Sequence, residues 1–430
     1  MLELILSALQ AILQVIAVVL FGALLTKTGH IDQSKQKWLS QLNLNFFTPC
    51  LLFFNIASVI SLDKLVAFWP IPAFFVVFTF ISWLASQIVI QVLGIRGIHQ
   101  RFVVACTLFC NTNSLPIAII SSLAFSEASR VLYWHSNDTQ QDIAMRGIAY
   151  TMFYAMFCNI IRWSYGYHLL QPPLYEATHK EQRHLSYSST TSTLQDESMH
   201  QVTQKDDCLS PPTSLPANET TSLLPTHYIH PLSPGPLINH RYYQPLKRVL
   251  LRWHGAMSPP LYAALLALMV GLSPVKPFLF DKHAFLYPSL TLAIQSCGKV
   301  AVPLILICLG SQLTFIAQQG GSSDSSSPRR VVLASVVARM ILSPLLVVLT
   351  VLICLKYTNV ALMHDPMFVV TLILLGCTPT AINLSQITQV SGYFEQEMMH
   401  VLFWSYGVIC VPIMTTIVFL ALSLVDTWLV

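Results

Sequence analysis

The stretch FCNTNSLPIAII (Phe109–Ile120) decides the fold, because it places polar residues and a proline inside an otherwise apolar segment. A second stretch, GCTPTAINLSQI (Gly376–Ile387), repeats this composition near the other end of the chain. Proline removes a backbone hydrogen-bond donor and clashes with the preceding turn, so it interrupts a helix. In hydrocarbon, a carbonyl or amide freed by such an interruption is costly unless it is satisfied. Both stretches therefore need polar partners or a water-filled cavity.

The composition of the chain is that of a membrane protein. Of its 430 residues, 54% are hydrophobic and 10% are charged, and the mean hydropathy is +0.60. Soluble globular proteins usually carry about 25% charged residues. A net charge of +4 is too small to indicate a nucleic-acid partner. The sequence contains no Cys/His cluster with metal-ligand spacing, no nucleophile–base constellation and no Gly-rich phosphate loop, so neither a cofactor nor an enzymatic activity is expected.

Apolar segments long enough to span a bilayer, roughly 20 residues each, fall into two groups of five. This pattern predicts an all-α polytopic protein with ten transmembrane helices. The predicted spans lie near residues 2–26, 40–60, 65–93, 101–125, 144–170, 256–273, 286–316, 330–355, 366–390 and 398–424.

A segment of different composition separates the two groups. Residues 171–253 contain ten prolines and eighteen Ser/Thr residues, so they cannot bury enough apolar area to offset the ordering entropy. We therefore predict three parts: a first membrane repeat (1–170), a disordered linker (171–253) and a second membrane repeat (254–430). Within the linker, ETTSLL (Glu219–Leu224) resembles an acidic dileucine sorting signal.

The distribution of Lys and Arg predicts the orientation. With both termini on one face, the opposite face holds 15 Lys and Arg residues and the terminal face holds 6. Basic flanks resist translocation. The linker is therefore predicted to be cytoplasmic, and both termini are predicted to face the lumen or the exterior.

The two halves carry matching interruptions. The fourth predicted span contains Asn111, Asn113 and Pro116, and the ninth contains Pro379 and Asn383. With five spans in each half, the second half is inverted relative to the first, and paired interruptions of this kind are typical of the mid-membrane site of secondary transporters. Half-helix N-termini there present free amides that favour a carboxylate. The alternative is that both motifs are proline kinks patched by Ser and Asn, without a ligand.

Charged residues inside the spans are few. No Asp or Glu falls in the middle third of a predicted span, which argues against a carboxylate site for a coupling cation and favours an anion driven by the membrane potential. Two cations lie deep, Lys299 and Arg339. We predict that Lys299 attracts or counterbalances an organic anion, the alternative being a lysine bonded to carbonyls beside Pro303. For Arg339 a structural role, snorkelling or bracing the helices, is favoured.

Several motifs together resemble the auxin efflux carrier family, which includes the PIN-FORMED and PIN-LIKES proteins and a fungal branch. CNTNSLPIAIISSL (Cys110–Leu123) is similar to the family's fourth span. Four further motifs resemble the sixth, eighth, ninth and tenth spans of the fungal branch. In that order they are MSPPLYAALLALMVGLSPVK (Met257–Lys276), VVARMILSPLL (Val336–Leu346), GCTPTAINLSQITQ (Gly376–Gln389) and VLFWSYGVICVPI (Val401–Ile413).

The resemblance implies a fold of the sodium/proton antiporter and bile-acid symporter type, with a scaffold bundle and a mobile transport bundle. It implies a substrate site where spans four and nine cross, with Asn111 or Asn113 and Asn383 contacting the carboxylate of a small organic anion, auxin-like in the plant carriers. Together with the motifs above, it predicts a substrate site formed by Asn111, Asn113, Pro116, Pro379, Asn383 and Lys299. It favours the endoplasmic reticulum membrane, whereas the dileucine-like motif favours a vacuolar location, and the plasma membrane is a further alternative.

A second functional class stays open at this point, namely a non-transporting receptor or scaffold that acts through the Ser/Thr/Pro-rich linker. Deletion of residues 180–240 separates the two classes, because a carrier retains transport and a scaffold loses its function. The partners expected are the organic anion and the lipid bilayer. A homodimer, and contacts of the linker with a kinase or a sorting adaptor, are left open.

Overall fold

The computed structural model of the chain describes residues 2–135, 137–172, 257–318, 326–358 and 360–428. Apart from one isolated β-bridge, the regular structure of these residues is helical. The predicted linker 171–253, with its ETTSLL motif, lies outside the described residues except for its first two positions.

Seven α-helices make up the first half. The last of them continues through a wide turn over Arg162–Gly166 as far as Leu169. These helices are α1 (Leu2–Lys27), α2 (Gln33–Val59), the short α3 (Leu62–Ala67), α4 (Pro70–Val92), α5 (Ile98–Leu108), α6 (Ser114–Phe125) and α7 (Gln140–Ile161).

Seven more make up the second half. They are α8 (Pro259–Leu272), the short α9 (Lys276–Phe280), α10 (Tyr287–Gln318), α11 (Ser326–Val337, continued over Ala338–Leu342 and Ser343–Tyr357), α12 (Pro366–Cys377), α13 (Asn383–Ser391) and α14 (Glu395–Trp428).

These helices belong to a polytopic membrane protein. Among the described residues, five helices are long and apolar enough to cross a membrane, namely α2, α4, α10, α11 and α14. Each predicted apolar segment coincides with one helix or with two helices that meet at an interruption. The count of ten membrane crossings and the inverted relation of the two halves stay predictions.

Polar caps extend two helices beyond their apolar cores. The carboxylate of Asp32 accepts a hydrogen bond from the backbone amide of Lys35, so α2 begins seven residues before the predicted span. Thr139 and Asp142 form a reciprocal capping box at the start of α7. The apolar pattern alone could not show these polar first turns.

The helices pack in two groups. In the first, α1 packs on α10, and α2 packs on α8 and α10. In the second, α5 packs on α4 and α11, α6 on α7, and α12 on α7, α11 and α14. The two groups meet along several surfaces, including α1 with α6 and α13 with α2 and α10. We call the first the α1/α2/α8/α10 group. The second comprises α4 to α7 and α11 to α14, and we call it the α5/α12 group after its two interrupted helices.

Small residues fix the first group internally. A Cβ on Gly22 of α1 would overlap the carbonyl of Ile307, and one on Gly310 of α10 would overlap the carbonyl of Val19. Small residues let helix backbones approach closely in membranes, where van der Waals packing rather than water exclusion drives association. The α1–α10 contact therefore tolerates no larger side chain at either glycine.

The start of α12 is fixed by a buried acid outside the spans. Asp365 caps the helix by accepting from the amide of Met367 at 2.9 Å, and the hydroxyl of Tyr150 donates to it at 2.7 Å. Arg146 lies 3.4 Å from the same carboxylate. Burial raises the pKa of Asp365, while Tyr150 and Arg146 oppose that rise. These contacts tie the start of α12 to α7.

Candidate functional site

The two proline-containing interruptions lie against each other. The backbone amide of Asn111 donates to the carbonyl of Pro379 at 2.8 Å, and the amide of Ala381 donates to the carbonyl of Phe109 at 2.9 Å. This pairing is an antiparallel bridge between Cys110 and Thr380. Because the two paired segments run antiparallel, α6 extends from the pairing toward one side and α13 extends toward the opposite side.

Arg339 donates hydrogen bonds to carbonyls at the C-terminal ends of α5 and α12, the two helices that end at the interruptions. It is 1% exposed, and it lies in the wide turn of α11. Its guanidinium donates to the carbonyls of Thr378 at 2.7 Å, Gly376 at 3.0 Å and Thr107 at 3.2 Å. A positive charge also complements the negative ends of α5 and α12. The favoured structural role of Arg339 thus takes the form of a brace at the interruptions.

A second buried arginine, Arg162, completes this arrangement. It is 2% exposed and donates to the carbonyl of Cys110 at 2.7 Å, to Asn159 at 3.0 Å and to the sulfur of Cys158 at 3.2 Å. Arg162 is one of the 15 Lys and Arg residues counted above on the face opposite the termini, and it was not counted among the deep cations, whereas the structure buries it at the interruption. The apolar pattern ends near this residue, but the helix continues through a wide turn that carries the side chain back to the interruption.

Hydroxyl groups satisfy two further carbonyls. The Thr380 hydroxyl donates to the carbonyl of Cys106 at 2.9 Å, and the Tyr406 hydroxyl donates to the carbonyl of Thr380 at 2.9 Å. The side-chain amide of Asn111 donates to the Tyr406 oxygen at 2.9 Å and to Ser114 at 3.3 Å. The carbonyls of Cys106 and Thr107 near the end of α5, and those of Gly376 and Thr378 at the end of α12, are therefore satisfied by the protein itself.

The two arginines leave this region with excess positive charge. Arg146 is paired with Asp138 and Asp365, whereas the structure shows neither Arg162 nor Arg339 in a salt bridge with a carboxylate of the described residues. Charged groups inside a membrane are costly and usually paired. Two unpaired guanidiniums beside one interruption favour an anion nearby.

A cavity of about 150 Å³ opens beside the interruption of α5 and α6. At one end lie the polar groups of Asn111, Ser114 and Tyr406, and the first turn of α6 leaves backbone amides without intrahelical partners there. The rest of the wall is mostly apolar. It is lined by Gln14, Val15 and Val18 of α1, Leu115 and Ala118 of α6, Val302, Pro303 and Leu306 of α10, and Ile382.

The predicted site residues divide between this cavity and its surroundings. Asn111 lines the cavity. Asn113 is half-buried, and its backbone amide donates to the Asn111 side chain at 3.2 Å. Pro116 is buried in the first turn of α6, and the carbonyl of Pro379 forms part of the backbone pairing.

The remaining two predicted residues do not line the cavity. Asn383 begins α13 next to the cavity residue Ile382, is half-buried, and has no side-chain hydrogen bond among the described residues. Lys299 lies on an exposed part of α10 and is not a lining residue. The roles predicted for these two residues stay predictions.

A buried network of amides and hydroxyls joins the two helix groups on the α13 side. Ser40 donates to Gln389 at 3.0 Å, and Gln389 donates to Gln312 at 3.1 Å. Gln312 in turn donates to Glu395. A second connection links Thr48 of α2 to Gln386 of α13 at 3.1 Å. We call these six residues the α13 polar network.

Comparison with known proteins identifies the family. A family model described as "Membrane transport protein" matches residues 7–418. The chain belongs to this family. It is 31% identical to the uncharacterized transporter YBR287W of Saccharomyces cerevisiae, over 95% of this chain and 93% of that protein. It is 30% identical to the uncharacterized transporter C5D6.04 of Schizosaccharomyces pombe, over 96% of this chain and 94% of that protein.

A plant relative extends the comparison. This membrane transport protein is 26% identical to the Arabidopsis thaliana protein PIN-LIKES 2, over 94% of this chain and 91% of that protein. The resemblance to the PIN-LIKES proteins and to their fungal relatives is thereby confirmed. The chain is an integral membrane transport protein, and its family is one of transporters and not of enzymes.

Two features of the site were missed from the sequence, although signals for them were present. Arg162 directly follows an apolar run and has no acidic neighbour in sequence, which marks it as a charge near the membrane. Tyr406 lies inside a motif that resembles the family's tenth span, yet aromatic residues are too common in this chain to single one out. Neither signal shows which groups the side chain would contact in the fold.

Proposed function

We propose that this chain is a secondary carrier that moves a small organic anion, such as an auxin-like carboxylate, by alternating access. The observation that carries this proposal is the asymmetry of the paired interruptions. Their carbonyl ends are satisfied by Arg162, Arg339 and hydroxyl groups, whereas the amide end of α6 borders the cavity. A half-helix N-terminus beside two buried cations suits an anion.

The same arrangement supports transport without a coupled cation. In secondary transporters, half-helix C-termini commonly coordinate Na⁺ or a proton-bearing group. Here guanidinium groups hold the carbonyls of Thr107, Cys110, Gly376 and Thr378. The driving force is then the membrane potential, worth about 2.3 kcal/mol per charge per 100 mV.

The α13 polar network supports alternating access. The cavity lies on the α6 side of the interruptions and the network on the α13 side, so the network closes the way out past α13. Its side chains can exchange their hydrogen bonds for water at little net cost. With the predicted orientation, the closed side is cytoplasmic and the cavity faces the lumen or the exterior.

Uptake into proteoliposomes tests the proposed function. Phenylacetate, a small aromatic carboxylate, should be taken up saturably when a potassium diffusion potential makes the destination compartment positive. Imposed sodium or proton gradients at zero potential should not drive it. Vesicles without protein are the control. Uptake that requires one of those gradients, or no saturable uptake of carboxylates, contradicts the proposal.

A cross-link across the α13 polar network tests alternating access. The Ser40 hydroxyl donates to the end of the Gln389 side chain, so a short reducible bis-thiosulfonate cross-linker should join Ser40→Cys to Gln389→Cys. Because the cross-link ties the two helix groups together, transport should fall to background and return on reduction. The two single variants treated with the same cross-linker control for the native cysteines, including Cys308 beside Ser40. A cross-linked double variant that transports as fast as its reduced form contradicts the gate.

We place the carrier in the endoplasmic reticulum membrane, with both termini lumenal and residues 171–253 cytoplasmic. The family resemblance supports this location, and the Lys/Arg distribution supports the orientation. Glycosylation mapping at engineered acceptor sites in the terminal segments and in the linker distinguishes the two orientations.

A further inference from the structure

Gln14 is a polar residue in an apolar stretch of α1, between Leu13 and Val15. Its side chain is exposed and lines the cavity from the α1/α2/α8/α10 group. Asn111 and Tyr406 line the same cavity from the α5/α12 group. The cavity is therefore polar on two walls contributed by different groups of helices.

The amide of Gln14 has no hydrogen-bond partner among the described residues. The polar groups at the other wall are different, because Asn111 donates to both Ser114 and Tyr406. An unsatisfied amide in the hydrocarbon region costs free energy, and it persists where water or a ligand satisfies it. The two donors and one acceptor of Gln14 are thus available to whatever occupies the cavity.

The remaining surface of the cavity is apolar and small. Val15, Val18 and Leu306 are among its lining residues, and its volume is about 150 Å³. A dry apolar cavity of about that volume holds a benzene ring. An occupant that fits therefore has a compact apolar body with one polar end at Asn111.

We infer that Gln14 is a specificity-determining residue, which hydrogen-bonds a second polar group on the apolar body of the transported anion. The inference rests on the proposed function and narrows its substrate class to small carboxylates that carry a hydroxyl, carbonyl or N–H group away from the carboxylate. A site built to bond a substrate's polar group rejects the analogue that lacks it, because the site's own group is then left unpaired.

Competition between matched carboxylates tests this inference. Phenylacetate and the positional isomers of hydroxyphenylacetate differ only in one hydroxyl group. Wild-type protein should take up at least one hydroxylated isomer with a kcat/KM about tenfold or more above that of phenylacetate. Gln14→Leu should reduce this ratio to near unity, since leucine keeps the volume and removes both donors and the acceptor.

The controls separate the two levels of the proposal. Gln91→Leu, at an exposed position near the end of α4, should leave the ratio unchanged. If wild-type protein transports these carboxylates without preferring any hydroxylated isomer, or if Gln14→Leu retains the preference, the role of Gln14 is refuted while the carrier function stands. If wild-type protein transports none of them, the proposed function fails and the inference fails with it.

Discussion

Replacing Arg339 by methionine is expected to destabilise the protein severely and to abolish transport. Methionine approximates the length of arginine but donates no hydrogen bond. The carbonyls of Thr107, Gly376 and Thr378 would then be buried without their donor. An orphaned buried carbonyl costs about 1–3 kcal/mol, so the total is on the order of several kcal/mol.

Arg339→Lys should recover only part of this loss. A lysine ammonium is a compact charge, whereas the planar guanidinium reaches several acceptors at fixed angles. Thermal unfolding in detergent measures the stability of each variant. The matched control is Arg330→Met, which alters an exposed arginine of the same helix. If Arg339→Met unfolds at the same temperature as the Arg330→Met control, the guanidinium does not hold the interruptions together.

The interruptions themselves could be predicted from the sequence. A proline within an apolar run kinks or breaks a helix. Since α10 continues through Pro303, it is the combination of a proline with adjacent polar residues that marks an interruption here. Neighbouring polar residues such as Asn111 and Thr380 indicate that the freed backbone groups are satisfied. The structure accordingly ends α5 at Leu108 and α12 at Cys377.

The partners of these interruptions could not be predicted, because they come from distant parts of the chain. Arg339 and Arg162 reach the freed carbonyls from α11 and from the turn after α7. Sequence gives the depth of a charge along its helix, but it gives no contact between helices. For Arg162 even the depth was misjudged, because this residue was counted with the basic residues of the cytoplasmic face although it lies within the predicted span 144–170.

The position of Lys299 shows a related limit. Its depth in α10 is evident from the sequence, yet the side chain is exposed and lies outside the cavity. A membrane helix that is apolar on all sides carries no amphipathic pattern, so the sequence does not indicate which side faces the protein. By contrast, Gln386 and Gln389 are three residues apart and share one face of α13, which is a pattern that sequence can show.

Replacing Asn111 by alanine is expected to weaken anion binding by about tenfold to a hundredfold. The Asn111 amide lines the cavity and donates a long hydrogen bond, 3.3 Å, to Ser114. We expect a bound anion to take over this N–H group, because a hydrogen bond to a charged group contributes about 1.5–3 kcal/mol. The interruptions should persist in this variant. The backbone of residue 111 still donates to Pro379, and Tyr406 still donates to Thr380. Binding is therefore separable from folding at this position.

The equilibrium binding of radiolabelled phenylacetate to purified wild-type, Asn111→Ala and Asn55→Ala proteins tests the central claim most directly. Asn55 is a half-buried asparagine of α2 that does not line the cavity. The account predicts saturable binding to the wild-type and Asn55→Ala proteins, and a dissociation constant at least about tenfold higher for Asn111→Ala. Equal affinity of all three proteins, or no saturable binding to the wild type, would contradict an anion site at the paired interruptions.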